Sequence, residues 1–132
     1  MEEHFVNYNQ ALALKELGFD EPCIAFYSKQ LLTFHTHGID PYFIFKRNTE
    51  LWDSPSAPLK SQVFKWFRNK HGLYSSYGTT NDFDEKINGY VISVFNDGVR
   101  KKLHINWEVG TYEEAESACI DKLMLILKEK KS

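Results

Sequence analysis

His35 and His37 stand two residues apart in a stretch that alternates like a β-strand, so both side chains fall on one face. Two imidazoles so placed can share a metal ion, and Asp40 is the nearest further ligand. A competent site needs at least three ligands, and no Glu or His at a convincing spacing completes the set. The same residues are equally explained as the polar face of a strand beside a turn. Phosphodiester chemistry of the paired HxT or HxS kind would need a second copy of the motif, and His4, His71 and His104 do not supply one. A metal-assisted enzyme acting on phosphorylated small molecules through His35 and His37 is therefore kept as the alternative reading. Cys23 and Cys119 form no CxxC pair and read as small buried residues rather than nucleophiles. Asp82, Asp84 and Glu85 cluster, but not at the spacing of a calcium loop. A Ser-centred elbow, a phosphate-cradling glycine loop and HExxH are all absent from the sequence. No catalytic residue, metal or cofactor is assigned.

The second group with chemical potential is basic and aromatic: Trp52, Lys60, Lys65, Trp66 and Arg68. Arg and Lys beside an exposed aromatic ring can hold a phosphate and stack on a base, or anchor a protein interface. Four of the five lie in the stretch Ser54 to Gly72, around which the chain is organised. Ser56 is placed to cap a helix, Pro58 suits its first turn, and Gly72 suits the left-handed position past its end. Leu59, Val63 and Phe67 repeat at helical spacing, with Phe64 and His71 beside them. Trp66 falls at the edge of that stripe, between partial burial and exposure beside Lys65 and Arg68. Trp52 follows Leu51 in the polar loop 47–55. Either both residues pin the loop to the core, or Trp52 is a recognition residue.

The elements that must position these groups can be read in order. Residues 1–8 are a loose lead-in. Asn9 caps a short helix with Ala11, Leu14 and Leu17 inward, and Gly18 ends it. Strands are expected over 23–28, 31–37 and 42–46, forming a meander. After the central helix come a strand over 73–77 and a mobile polar loop over 78–88. A strand over 89–95 leads into the hairpin signal Asn96-Asp97-Gly98 and a return strand over 100–108. On that strand Leu103, Ile105 and Trp107 face one way and Lys102, His104, Asn106 and Glu108 the other, leaving one wet face. Thr111-Tyr-Glu-Glu114 is a capping box for the last helix. The fold class is α+β: an antiparallel sheet with helices packed on one face, in the order α-β-β-β-α-β-β-β-α.

Composition bounds what this fold does. A single domain is expected from 132 residues, and 42% hydrophobic content is enough for a core without disulfides or metals. A net charge of −2 argues against coating nucleic acid by bulk charge. From Ser56 the element order matches double-stranded-RNA-binding domains. However, Glu113, Glu114 and Glu116 stand where such domains are basic, and no RNP-type aromatic signature is present. Nucleic acid is accordingly disfavoured as a partner. No signal peptide or membrane-length apolar run is seen, which gives a cytoplasmic expectation.

Three blocks, ALALKELGFDEPCIAFY (Ala11 to Tyr27), APLKSQVFKWFRNKHGLY (Ala57 to Tyr74) and YEEAESACIDKLMLIL (Tyr112 to Leu127), resemble a group of small uncharacterised accessory proteins of phages and prophages in Bacteroidetes-type bacteria. The resemblance carries no site residues. It implies a setting in which small proteins act by stoichiometric binding of a host protein or a host signalling nucleotide, for instance in counter-defence. The expectation is a non-enzymatic binding protein using Trp52, Lys60, Lys65, Trp66 and Arg68. A structural role through homo-oligomerisation is the further alternative.

Overall fold

The structure, a computed structural model, describes residues 2–37, 40–82 and 85–131. The α+β class holds, and the chain divides into two compact units, Met1–Val63 and Phe64–Ser132.

In the first unit, helix α1 (Tyr8–Glu16) begins two residues earlier than Asn9 suggests. Asn7 is the cap: its Oδ1 accepts from the Gln10 N–H at 2.8 Å, and Gln10 Oε1 accepts from the Asn7 N–H at 3.0 Å. This reciprocal pair satisfies two amides that a helix start otherwise leaves without partners. The lead-in is not loose, because Phe5 and Val6 are both buried. Phe5 bridges to Leu59, and the Val6 amide donates to Pro58 at 3.1 Å. Burying two adjacent apolar side chains outweighs the entropy of ordering a short segment.

Strands β1 (Ala25–Ser28) and β2 (Leu31–Phe34) form a hairpin whose turn residues, Lys29 and Gln30, both have positive φ. Strands β3 (Thr36–His37) and β4 (Asp40–Phe43) pair separately, so the expected meander is two ladders. The main chains of Cys23 and Lys46 still exchange hydrogen bonds at 2.9 Å in both directions. Phe5, Ala25 and Ala57 form one buried cluster of this unit, with Tyr27, Leu32 and Phe34 packed around them.

Helix α2 (Lys60–His71) crosses the boundary between the units. Ser56 does not cap it: Ser56 is buried, and its amide is held by Asn48. The Leu59 amide instead donates to Gln62 Oε1 at 2.9 Å. Gly72 takes the expected left-handed conformation at φ +64°.

The second unit contains strands β5 (Tyr74–Asp82), β6 (Glu85–Asn96) and β7 (Val99–Val109), antiparallel in that order, followed by helix α3 (Tyr112–Lys131). The stretch 78–88 is not a loop. Apart from Phe83 and Asp84, which lie outside the described residues, it forms the outer arms of the β5–β6 hairpin, paired down to Asp82 and Glu85. Asp97 and Gly98 make the expected tight turn, with φ of +52° and +80°. Thr111 Oγ1 accepts from the Glu114 amide at 3.1 Å and caps α3.

Helices cover one face of this sheet. Tyr77 and Tyr90 are paired on it, the Tyr77 hydroxyl donates to Glu116 of α3 at 2.7 Å, and the Phe64 ring of α2 stacks on Tyr77 at 4.9 Å. His104 lies on this covered face, half-buried and stacked on Tyr90. The wet side of β7 is therefore not the side that carries His104 and Asn106. Ile105 and Trp107 point to the uncovered side, together with Val91 and Phe95 of β6 and Tyr74 of β5.

Simple alternation fails at two points on β7: Asn88 pairs with Val109 but Tyr90 with Asn106, which sets Trp107 and Glu108 both against Gly89, and a second slip falls at Leu103. Ile92 pairs with His104 but Ser93 pairs with Lys102, so Leu103 is an extra residue, a β-bulge. Leu103 lines a shallow groove with His104 and the α3 residues Lys122 and Ile126. Beyond the bulge the faces exchange, and Lys102 and Arg100 join Ile105 and Trp107 on the uncovered side.

Candidate functional site

Trp52 does not pin its loop to the core; its ring is 96% exposed. The loop beneath it is nevertheless fixed. Residues Asn48–Glu50 form a 3-10 turn, and Asn48 is buried. Its Nδ2 donates to the Phe19 carbonyl at 2.7 Å, and its Oδ1 accepts from the Ser56 amide at 2.8 Å. One amide side chain thus ties the start of the loop to the end of α1 and to the approach of α2. Leaving either buried group without its partner would cost about 1–3 kcal/mol.

Lys15, at the end of α1, supplies the second anchor. Its Nζ donates to the carbonyls of Leu51, Trp52 and Ser54 at 3.3, 3.2 and 3.1 Å. An ammonium carries three N–H groups, so this cation is spent on shaping the loop. Asp20 closes the other side, its carboxylate accepting from the Thr49 amide at 2.9 Å and hydroxyl at 3.3 Å. Together Lys15, Phe19, Asp20, Asn48, Leu51 and Trp52 border an open groove of about 670 Å³. The groove is amphipathic: one cation, one anion, a buried ring at its base and an exposed indole at its rim. Of these residues only Trp52 was legible as a site residue. Lys15 and Asn48 lack any motif, because their roles depend on carbonyls and amides distant in sequence.

In the α2 group the position of Trp66, open between partial burial and exposure in the sequence, is a buried one. Trp66 is only 6% exposed and packs edge-on against Phe67 and His71. Lys65 and Arg68 are exposed on the same helix and Lys60 is half-buried near its start. The exposed cations therefore stand without the ring that was to lie between them. The helix has enough apolar residues to bury a wide stripe, and Trp66 belongs to it.

His35 is buried and stacks flat on Phe26 at 4.6 Å, while its Nε2 meets no hydrogen-bonding partner among the described residues. Burial, with Lys46 nearby, holds its pKa below the ordinary imidazole value. The side chains of His37 and Asp40 lie outside the described residues, as do those of Asp82 and Asp84. Among the described residues no three metal-ligating side chains gather. Cys23 and Cys119 are buried free thiols, and burial pushes both up to about 12.

Compared with known proteins, the chain matches no family model, no curated protein and no solved structure. Among the described residues no helix is long and apolar enough to cross a membrane.

Proposed function

We propose that this is a small non-enzymatic binding protein that engages a protein partner through the Trp52 loop. The observation that carries the reading is an indole 96% exposed on a loop whose main chain is held by Lys15 and Asn48. Exposing a large ring to water has no folding benefit, whereas an aromatic on a fixed backbone loses little entropy on binding. The amphipathic groove beside it suits a peptide side chain. A signalling nucleotide is less well served, since Lys15 is committed to carbonyls and Trp66 is buried away from Lys65 and Arg68. In the phage or prophage setting that the three sequence blocks suggest, the partner is a host protein met in the cytoplasm.

A photo-crosslinking residue placed at the exposed position 53 tests this in the host cell. A single protein captured by the otherwise native chain and lost with Trp52→Ala, at unchanged thermal midpoint, supports the reading. Equal capture by Trp52→Ala removes the loop from the interface. Because Trp52 is almost wholly exposed, its replacement leaves the core intact.

A further inference from the structure

The uncovered face of the β5–β6–β7 sheet carries one aromatic ring per strand. Tyr74 of β5 and Phe95 of β6 meet edge to face at 4.9 Å, and Trp107 of β7 lies opposite Gly89. Gly89 is required there: a Cβ would come within 2.6 Å of Trp107 Cα and 2.7 Å of Trp107 Cε3. The missing side chain lets the indole lie against the sheet. Phe95 is 53% exposed, Tyr74 37% and Trp107 36%. Between the ring pair and Trp107 the floor is Val91 and Ile105; Tyr74 stands four strand positions from Trp107 and Phe95 six, about 13 and 20 Å.

Two cations share this face because of the bulge at Leu103. Lys102 pairs with Ser93 and Arg100 with Phe95. The Arg100 guanidinium is held in place by a hydrogen bond from Nε to Ser93 Oγ at 2.9 Å, while the residue as a whole stays exposed. A fixed guanidinium and an ammonium beside outward-facing rings are complementary to a polyanion whose other surface is aromatic. The acidic first turn of α3 does not oppose this, since α3 packs on the opposite face.

We propose that this sheet face binds single-stranded nucleic acid, with bases stacked on Trp107 and on the Tyr74–Phe95 pair and phosphates at Arg100 and Lys102. This site is independent of the Trp52 loop, and either assignment can stand without the other. Rigid double helices are excluded, because stacking on the rings needs unpaired bases.

Fluorescence polarisation of the full chain with labelled oligouridine, oligothymidine, a mixed single strand and the duplex of that strand provides the test. The single strands should bind saturably at about 50 mM salt and weaken steeply as salt rises, and the duplex should bind less well. A preference between the uridine and thymidine strands assigns RNA or DNA. The double substitution Arg100→Glu with Lys102→Glu should weaken binding by about tenfold or more, and Phe95→Ala by about tenfold. Both alter exposed positions, so circular dichroism should be unchanged. Trp107→Ala is the harsher variant, and quenching of tryptophan fluorescence on titration of a Trp52→Phe chain, where the exposed indole of Trp52 is removed and Trp66 is buried, gives a readout without it. Absence of binding to every single strand at low salt overturns the proposal. So does binding that the charge-reversed variant retains in full, or a dimer in sedimentation that Phe95→Ala dissociates and oligonucleotide does not, which would give the face to a second copy.

Discussion

His35 shows how a residue chosen for its chemistry can instead belong to packing. The sequence placed it with His37 on one face of a strand, which is the geometry of a metal pair. In the structure β2 ends at Phe34, and the His35 ring is buried flat against Phe26. Its pKa and that of His104 are both lowered, first by burial and then by a nearby lysine. When the folded value lies below the unfolded one, the unfolded chain takes up protons first as pH falls. Stability from this source is therefore complete above about pH 6.5 and is lost as pH drops through that value towards the lower folded one. The thermal midpoint should fall on acidification across that range, and His35→Phe, which keeps the stack on Phe26, should flatten part of the slope. An identical pH profile for wild type and His35→Phe would show that folding does not lower the pKa of His35. The burial of Trp66 and the exposure of Trp52 were both left open by the sequence for a similar cause. One sits at the edge of a helical stripe and the other in a polar loop, so neither environment was fixed by neighbours in sequence.

At the level of elements, what was legible was local. The Asn96-Asp97-Gly98 turn, the Thr111 cap and the Gly72 stop each depend on a few adjacent residues, and each is found. The β5–β6 arms were not legible, because a polar strand becomes visible only through its partner. Thr79 and Thr80 have β-propensity, but only pairing with Asn88 and Ile87 makes them a strand. The β1–β2 turn is the reverse case: found where expected, but built from unfavourable residues. Lys29 and Gln30 stand at φ +49° and +67°, a region that costs a residue with a Cβ roughly 1–2 kcal/mol. Gln30→Gly should raise stability to urea by about 0.5–1 kcal/mol, net of the extra freedom glycine gains when unfolded. A lower urea midpoint would mean that the Gln30 side chain contributes more than its backbone strain subtracts.

At the scale of the molecule, each compact unit carries one buried thiol, Cys23 in the first and Cys119 in the second. Only thiolates react readily, and burial keeps both groups protonated near neutral pH. Neither should react with a thiol reagent in buffer, and both should react in denaturant. Rapid labelling of one cysteine under native conditions would mark its unit as open to solvent. The two-unit division was not legible, since composition does not change at the boundary and α2 runs through it without a break. The helix-covered sheet was legible, but its outward face was not, for the reason that alternation slips at Leu103. That slip has a genetic corollary. Loss of one codon inside a strand ordinarily turns every later side chain over and is ruinous. Loss of codon 103 would instead restore the regular period as far as Trp107, leaving Arg100, Lys102, Ile105 and Trp107 on the side they already occupy. A shorter cousin lacking this residue would thus display in plain alternation the surface that the longer chain conceals, and the two would align with a gap in the middle of a strand.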